Sequence, residues 1–190
     1  MQCPAVFLIN LYGVLMKIWS HNIKNNVLED SFGHRGTEFL KTKPCRSFHV
    51  AWEGAPDKTK SLALIFLDYE AIPVCGFPWI HWTVANIHPG QNGSGALHEN
   101  MSMEKKLLEG VTSWNSGLLP KEWYLDKEDA SGYGGCAPPD KAHLYSIDLY
   151  ALDTALDLQR GFFMNELTSQ MKGHILAHAT MDFWYKAKDQ

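Results

Sequence analysis

Four side chains in this sequence carry the types most open to chemistry: Asp68, His81, His143 and Tyr145. A carboxylate with two imidazoles is the donor set of non-haem iron and catalytic zinc sites. The same residues serve equally well as a structural hydrogen-bonded Asp–His pair, or as ordinary strand residues. What separates these readings is position. Ser61 to Asp68 reads SLALIFLD, and strand alternation sets Leu62, Leu64, Phe66 and Asp68 on one face, so Asp68 stands where a core residue is expected. A loop follows with Pro73, Gly76 and Pro78. Trp79 to Asn86, WIHWTVAN, resumes as a strand rich in aromatic and branched residues, with Trp79, His81 and Thr83 expected on one face. The carboxylate and the imidazole therefore converge beside one loop.

The second pair lies further on. Gly132 to Asp153 reads GYGGCAPPDKAHLYSIDLYALD: glycines that admit a close approach to main-chain amides, then a stiff Pro138–Pro139 step, then a strand. Alternation from His143 places His143, Tyr145, Ile147 and Leu149 on one face. Cys136 reads as a small filler in the glycine loop rather than a reactive thiol, because no base stands beside it in the sequence. Glu70, taken alone, is a solvated loop acid.

The remaining elements frame these two neighbourhoods. Phe48 to Trp52 is a brief strand, and Ile18 to Ser47 reads as short irregular strands and turns. Met101 to Val111 predicts a short helix with Leu107 and Leu108 on its apolar side. Trp114 to Asp129 predicts loop with a short helix. Phe162 to Lys172 has Phe163, Leu167 and Met171 at four-residue steps, an amphipathic helix stopped by Gly173. From Ile175 to Tyr185 apolar and polar residues alternate, which predicts a strand with one buried face. Most elements are strands.

Composition narrows the classes. The 190 residues suffice for one domain with a substantial core. A net charge of -4 offers no footprint for nucleic acid or an anionic membrane. The cysteines at positions 3, 45, 75 and 136 have neither a CxxC pair nor zinc spacing, which predicts reduced thiols in a cytoplasmic protein. Residues 1–15 are largely apolar but too short for a membrane span and lack a cleavage signature, so they are read as an extension ahead of a single domain at 16–190. No dinucleotide fingerprint, phosphate loop or G-x-S-x-G elbow is present.

Taken in order, SLALIFLD, the loop into WIHWTVANI, GYGGCAPP, HLYSIDLYALD and the closing GHILAHATMDFWY resemble the bacterial Raf-kinase-inhibitor-like branch of the phosphatidylethanolamine-binding protein (PEBP) family, from about Met16 to Tyr185. The resemblance implies a mainly β fold, an antiparallel β-sandwich with a few short peripheral helices, and a small pocket for phosphate-like anions. By motif, Asp68 and Glu70 stand at the acidic pair of the family's D-P-D-x-P element, His81 at its W-H-W histidine, and His143 and Tyr145 at its H-R-Y element. Gly135, Ala137 and Pro138 stand at its glycine-proline wall. Tyr69 departs from the pattern's proline, Glu70 from its second aspartate and Leu144 from its arginine. The last change removes a planar cationic fork suited to phosphate.

The resemblance implies a non-enzymatic protein without catalytic residues or cofactor, binding a small anionic or phosphorylated ligand. It also implies a protein partner such as a kinase or protease, and a homodimer. Imidazole, phenol and glycine-loop amides suit phosphate oxygens, while Asp68 favours a ligand that shares a proton. Two alternatives stand beside this reading. One is a metal-dependent enzyme using Asp68, His81 and His143; the other is a protein-interaction module with a vestigial pocket.

Overall fold

The computed structural model describes residues 16–188. The reading of residues 1–15 as an extension lies outside them. Twelve strands are formed among the described residues. The first five are short: β1 (Lys17–Trp19), β2 (Ile23–Lys24), β3 (Val27–Leu28), β4 (Phe39–Leu40) and β5 (Lys43–Pro44). Then come β6 (Val50–Glu53), β7 (Ser61–Asp68), β8 (Trp79–Ile87), β9 (Gly95–Leu97), β10 (Leu108–Glu109), β11 (His143–Leu152) and β12 (Ile175–Tyr185). Three short α-helices accompany them: α1 (Ile72–Cys75), α2 (Lys127–Ala130) and α3 (Met164–Met171).

A seven-stranded sheet runs β10-β8-β7-β11-β12-β3-β2, faced by a three-stranded sheet β1-β6-β9, with β4 and β5 as a separate hairpin. Every strand pairing is antiparallel except β12 with β3, so the sandwich is mixed at that edge. The main core fills the space between the sheets, where Leu62, Leu64 and Phe66 of β7 meet Val50 and Trp52 of β6 and Leu97 of β9. On the other face of the large sheet Ala63, Ile65 and Leu67 pack under Leu167 and Met171 of α3. All eight residues of β7 are buried, as expected of a strand covered on both faces.

Phe66 is the hub of this core. Its ring lies within 6.2 Å, centroid to centroid, of Phe48, His81, Tyr133, Tyr145 and Phe183. The edge-to-face and offset geometries among these rings are those that aromatic quadrupoles favour.

Two expectations fail for local reasons. Met101 to Val111 forms turns followed by β10 rather than a helix. There Glu109 is fully buried and accepts from Trp82 Nε1 at 2.8 Å and Arg160 Nη1 at 2.8 Å, partners brought by the sheet and not visible in the local pattern. In α3, Leu167 and Met171 are buried as the helical period requires, but Phe163 is the exposed N-cap. Its amide donates to Glu166 Oε2 at 2.8 Å.

Candidate functional site

The ends of β7, β8 and β11 meet at one corner of the large sheet. Asp68 pairs with Tyr145 of β11 on one side and with Trp79 of β8 on the other. The β7–β8 register shifts between Phe66 and Leu67: Leu67 opposes Ile80 but Phe66 opposes Trp82. His81 is the extra residue of that β-bulge. A bulge breaks alternation and re-aims a side chain. Of Trp79, His81 and Thr83, expected on one face, Trp79, opposite Asp68, stays on the His81 side, while Thr83, opposite Ile65, turns to the other face of the sheet. His81 and Trp82, adjacent in sequence, both reach the Phe66 side: the His81 ring stands 4.9 Å from Phe66, and Trp82 lies in the main core.

The glycine loop supplies what the bulged backbone lacks. Gly134 N donates to His81 O at 2.8 Å, and His81 Nδ1 donates to Gly134 O at 2.7 Å. Position 134 must be glycine, since a Cβ there would stand 2.4 Å from Trp114 Cζ3. With Nδ1 protonated and burial pulling the pKa of His81 down to about 4, the ring is neutral near pH 7 and Nε2 is a lone-pair acceptor.

His143 is 1% exposed and held between two carboxylates: Nδ1 lies 2.7 Å from Asp68 Oδ2, and Nε2 lies 2.8 Å from Asp140 Oδ1. Asp68 Oδ1 accepts from Ala71 N at 3.1 Å, which ties the carboxylate to the start of α1. The Tyr145 hydroxyl is buried without a hydrogen-bond partner among the described residues, as is Trp114 Nε1. Burial, reinforced by the charges of Cys136 and Asp68, raises the Tyr145 phenol well above its ordinary value, so it remains a donor.

A cavity of about 450 Å³ opens over this corner. Asp68, His81, His143 and Ala137 line it together with Trp79, Trp114 and Trp123. Neither lysine nor arginine lines it, and its walls are otherwise apolar apart from Cys75. Glu70, Gly135, Pro138 and Tyr145 do not line it. Glu70 forms an ion pair with Lys141 at 2.8 Å, and Tyr145 is packed in the core. Gly135 lies so close to Phe32 O that a Cβ would stand 2.4 Å away, and its amide donates to Pro44 O at 2.9 Å. The glycine-proline wall is thus represented in the cavity by Ala137 and by Pro139.

The metal alternative does not fit this geometry. Among the described residues no group of three His, Cys, Asp or Glu side chains is placed to hold a metal ion. Both nitrogens of His143 and Nδ1 of His81 are already engaged. Sequence reasoning missed Asp140, which stands three residues before His143. It also missed the wall formed by Trp114, Leu119, Pro120 and Trp123, because that stretch has no period to read.

The family model for phosphatidylethanolamine-binding protein matches residues 20–186, almost the whole described fold. The chain belongs to the PEBP family. YxkA of Bacillus subtilis is 40% identical over 160 residues, spanning 83% of this chain and 93% of that protein. A UPF0098 protein of Methanothermobacter thermautotrophicus is 37% identical over 139 residues, 72% of this chain and 80% of its own. Among solved structures, a PEBP homologue from Chlamydia trachomatis superposes with a TM-score of 0.71 at 24% identity, covering 91% of this chain and 98% of that one. Escherichia coli YbcL gives 0.68 at 23%, covering 91% and 99%. These two likenesses bear on the fold, and both place the mainly β sandwich with short helices in this family's architecture. In this PEBP-family chain no helix among the described residues is long and apolar enough to cross a membrane.

Proposed function

We propose that this PEBP-family protein binds a small phosphorylated head group, with the polar end on the Asp68–His81–His143 floor and any apolar portion between the tryptophans. The supporting observation is the mismatch of hydrogen-bonding groups at that floor. His81 Nε2 is an acceptor without a proton, while Trp114 Nε1, on the cavity wall, is a buried donor without an acceptor. A singly protonated phosphate monoester answers both needs, because its P–O–H donates and its other oxygens accept. Asp68 disfavours the dianion. Since the second pKa of a phosphate monoester is about 6, affinity falls as the ligand loses that proton.

The test is a calorimetric titration of phosphoethanolamine and of a short-chain phosphatidic acid at pH 6 and pH 8, into the wild type and His81→Gln. Tighter binding at pH 6, weakened in the variant, is expected. Equal affinity at both pH values, or no effect of the substitution, overturns the reading.

A further inference from the structure

His143 carries the cationic donor of the cavity over Asp68, and that donor is already taken. Among the described residues no lysine or arginine lines the cavity, whereas His143 does, with Nε2 2.8 Å from Asp140 Oδ1. Donating to a carboxylate at each nitrogen, the ring is the doubly protonated cation. Trp114 Nε1 is a neutral donor and His81 Nε2 an acceptor. A phosphate on this floor lacks a charged partner unless Asp140 gives way.

The position of Asp140 allows it to leave. Its side chain is 52% exposed, against 1% for His143, and it does not line the cavity itself. It stands on a loop in which Pro138 and Pro139 have no amide hydrogen, and among the described residues no hydrogen bond between main-chain groups holds residues 138–142. Two side-chain contacts tie the tip of that loop, Asp140 to His143 and Lys141 to Glu70. The second joins two groups in reach of solvent, and such ion pairs stabilise little. The hydrogen bond from His143 holds the Asp140 carboxyl below its ordinary value, so the place beside Nε2 is one that favours negative charge.

We propose that the Asp140 carboxylate is an internal stand-in for the ligand's phosphate, holding the place on His143 Nε2 that a phosphate oxygen takes when the 138–142 loop swings Asp140 into solvent. This rests on the reading of the cavity as a phosphate site and adds the residue that limits its affinity. The exchange swaps one monoanion for another beside the same imidazolium, so the charge around His143 is unchanged for a singly protonated phosphate. A dianion would bring a further negative charge towards Asp68, on the opposite nitrogen of the ring. The displacement therefore selects the protonated form.

The experiment titrates phosphoethanolamine, and in a second arm inorganic phosphate, at pH 6 into the wild type, Asp140→Ala and Asp140→Asn. Loss of the competitor frees a charged donor, so binding about tenfold tighter is expected in Asp140→Ala. Asp140→Asn removes the same charge but keeps an oxygen that accepts from His143 Nε2, so its gain should be smaller. Equal gains in the two variants mean that only charge repulsion was relieved, and they overturn the displacement. Unchanged or weaker binding in Asp140→Ala overturns it too. Should Asp140→Ala fail to fold, the carboxyl resonance of Asp140 in the wild type decides: its titration should move up on saturation with phosphoethanolamine, and an unmoved titration overturns the proposal. No binding by any of the three proteins sinks this proposal together with the head-group reading. The two otherwise fail separately. Binding that tightens in Asp140→Ala but is equal at pH 6 and pH 8 keeps the displacement and removes the protonation argument, while pH-dependent binding that needs His81 and ignores Asp140→Ala does the reverse.

Discussion

Asp140 Oδ1 lies 2.8 Å from Nε2 of His143, so an exposed carboxylate touches the buried imidazole whose other nitrogen holds Asp68. Ionised carboxylates at both nitrogens are satisfied together only by the doubly protonated ring. The hydrogen bond from His143 holds the Asp140 carboxyl below its ordinary value. A carboxyl lowered in the folded state adds stability above its unfolded pKa, and that stability is lost as pH falls through the folded value. Asp140→Asn is expected to be less stable than the wild type at pH 7, with the gap closing below about pH 4. Urea denaturation at pH 7 and pH 3 measures both, and a pH-independent gap would show that charge contributes nothing.

His81 titrates the other way from an ordinary surface histidine. Its folded pKa of about 4 lies below the unfolded value, so the unfolded chain takes up the proton first and stability drops as pH falls from 6.5 towards 4. A displacement of this size corresponds to roughly 3 kcal/mol across that window. The NMR resonances of the ring should stay flat through pH 6, and His81→Gln should lessen the acid slope of the melting temperature. A midpoint near 6.5 would contradict the burial argument.

Removing Asp68 strands two groups at once. Asp68→Ala leaves His143 Nδ1 and the buried Ala71 amide without their acceptor. Breaking a buried pair by deleting one partner costs about 3–5 kcal/mol. Asp68→Asn keeps an oxygen for Ala71 N but turns an NH2 donor towards His143 Nδ1 in place of the accepting oxygen, so it should fall between that variant and the wild type in guanidinium unfolding. An Asp68→Ala protein as stable as the wild type would mean that the pair is solvated.

Gly134→Ala tests the brace behind the bulge. The new methyl would need the space of the Trp114 ring, and overpacking of this kind costs about 1–3 kcal/mol. Because the Gly134 carbonyl orients His81, phosphoethanolamine affinity should fall along with stability. A variant that is destabilised but binds normally would separate the brace from the site.

Alternation along the chain was enough to read β7, β11 and β12 and to bring Asp68 and His81 beside one loop, while the joining of His143 to them was implied only by the order of the motifs. It reported the 16–188 fold as mainly β because period-2 patterning is a local property that each strand carries in itself. The motif order added the family, which the match over residues 20–186 bears out.

Contacts between distant segments were decided elsewhere. The bulge at His81 exists only relative to the partner strand, and no run of eight residues announces it. The exchange of Glu70 for Asp140 beside the site depends on which loop folds over the sheet corner, and Lys141 draws Glu70 away. The tryptophan wall from Trp114 to Trp123 has no period and becomes a wall only because β8 and the glycine loop offer it a surface. Lys43, Glu109 and Arg160 read along the chain as ordinary surface charges. Packing buried Lys43 and Glu109 and set the half-buried Arg160 beside Glu109, since a buried ion is tolerable only beside a partner that tertiary structure alone can bring.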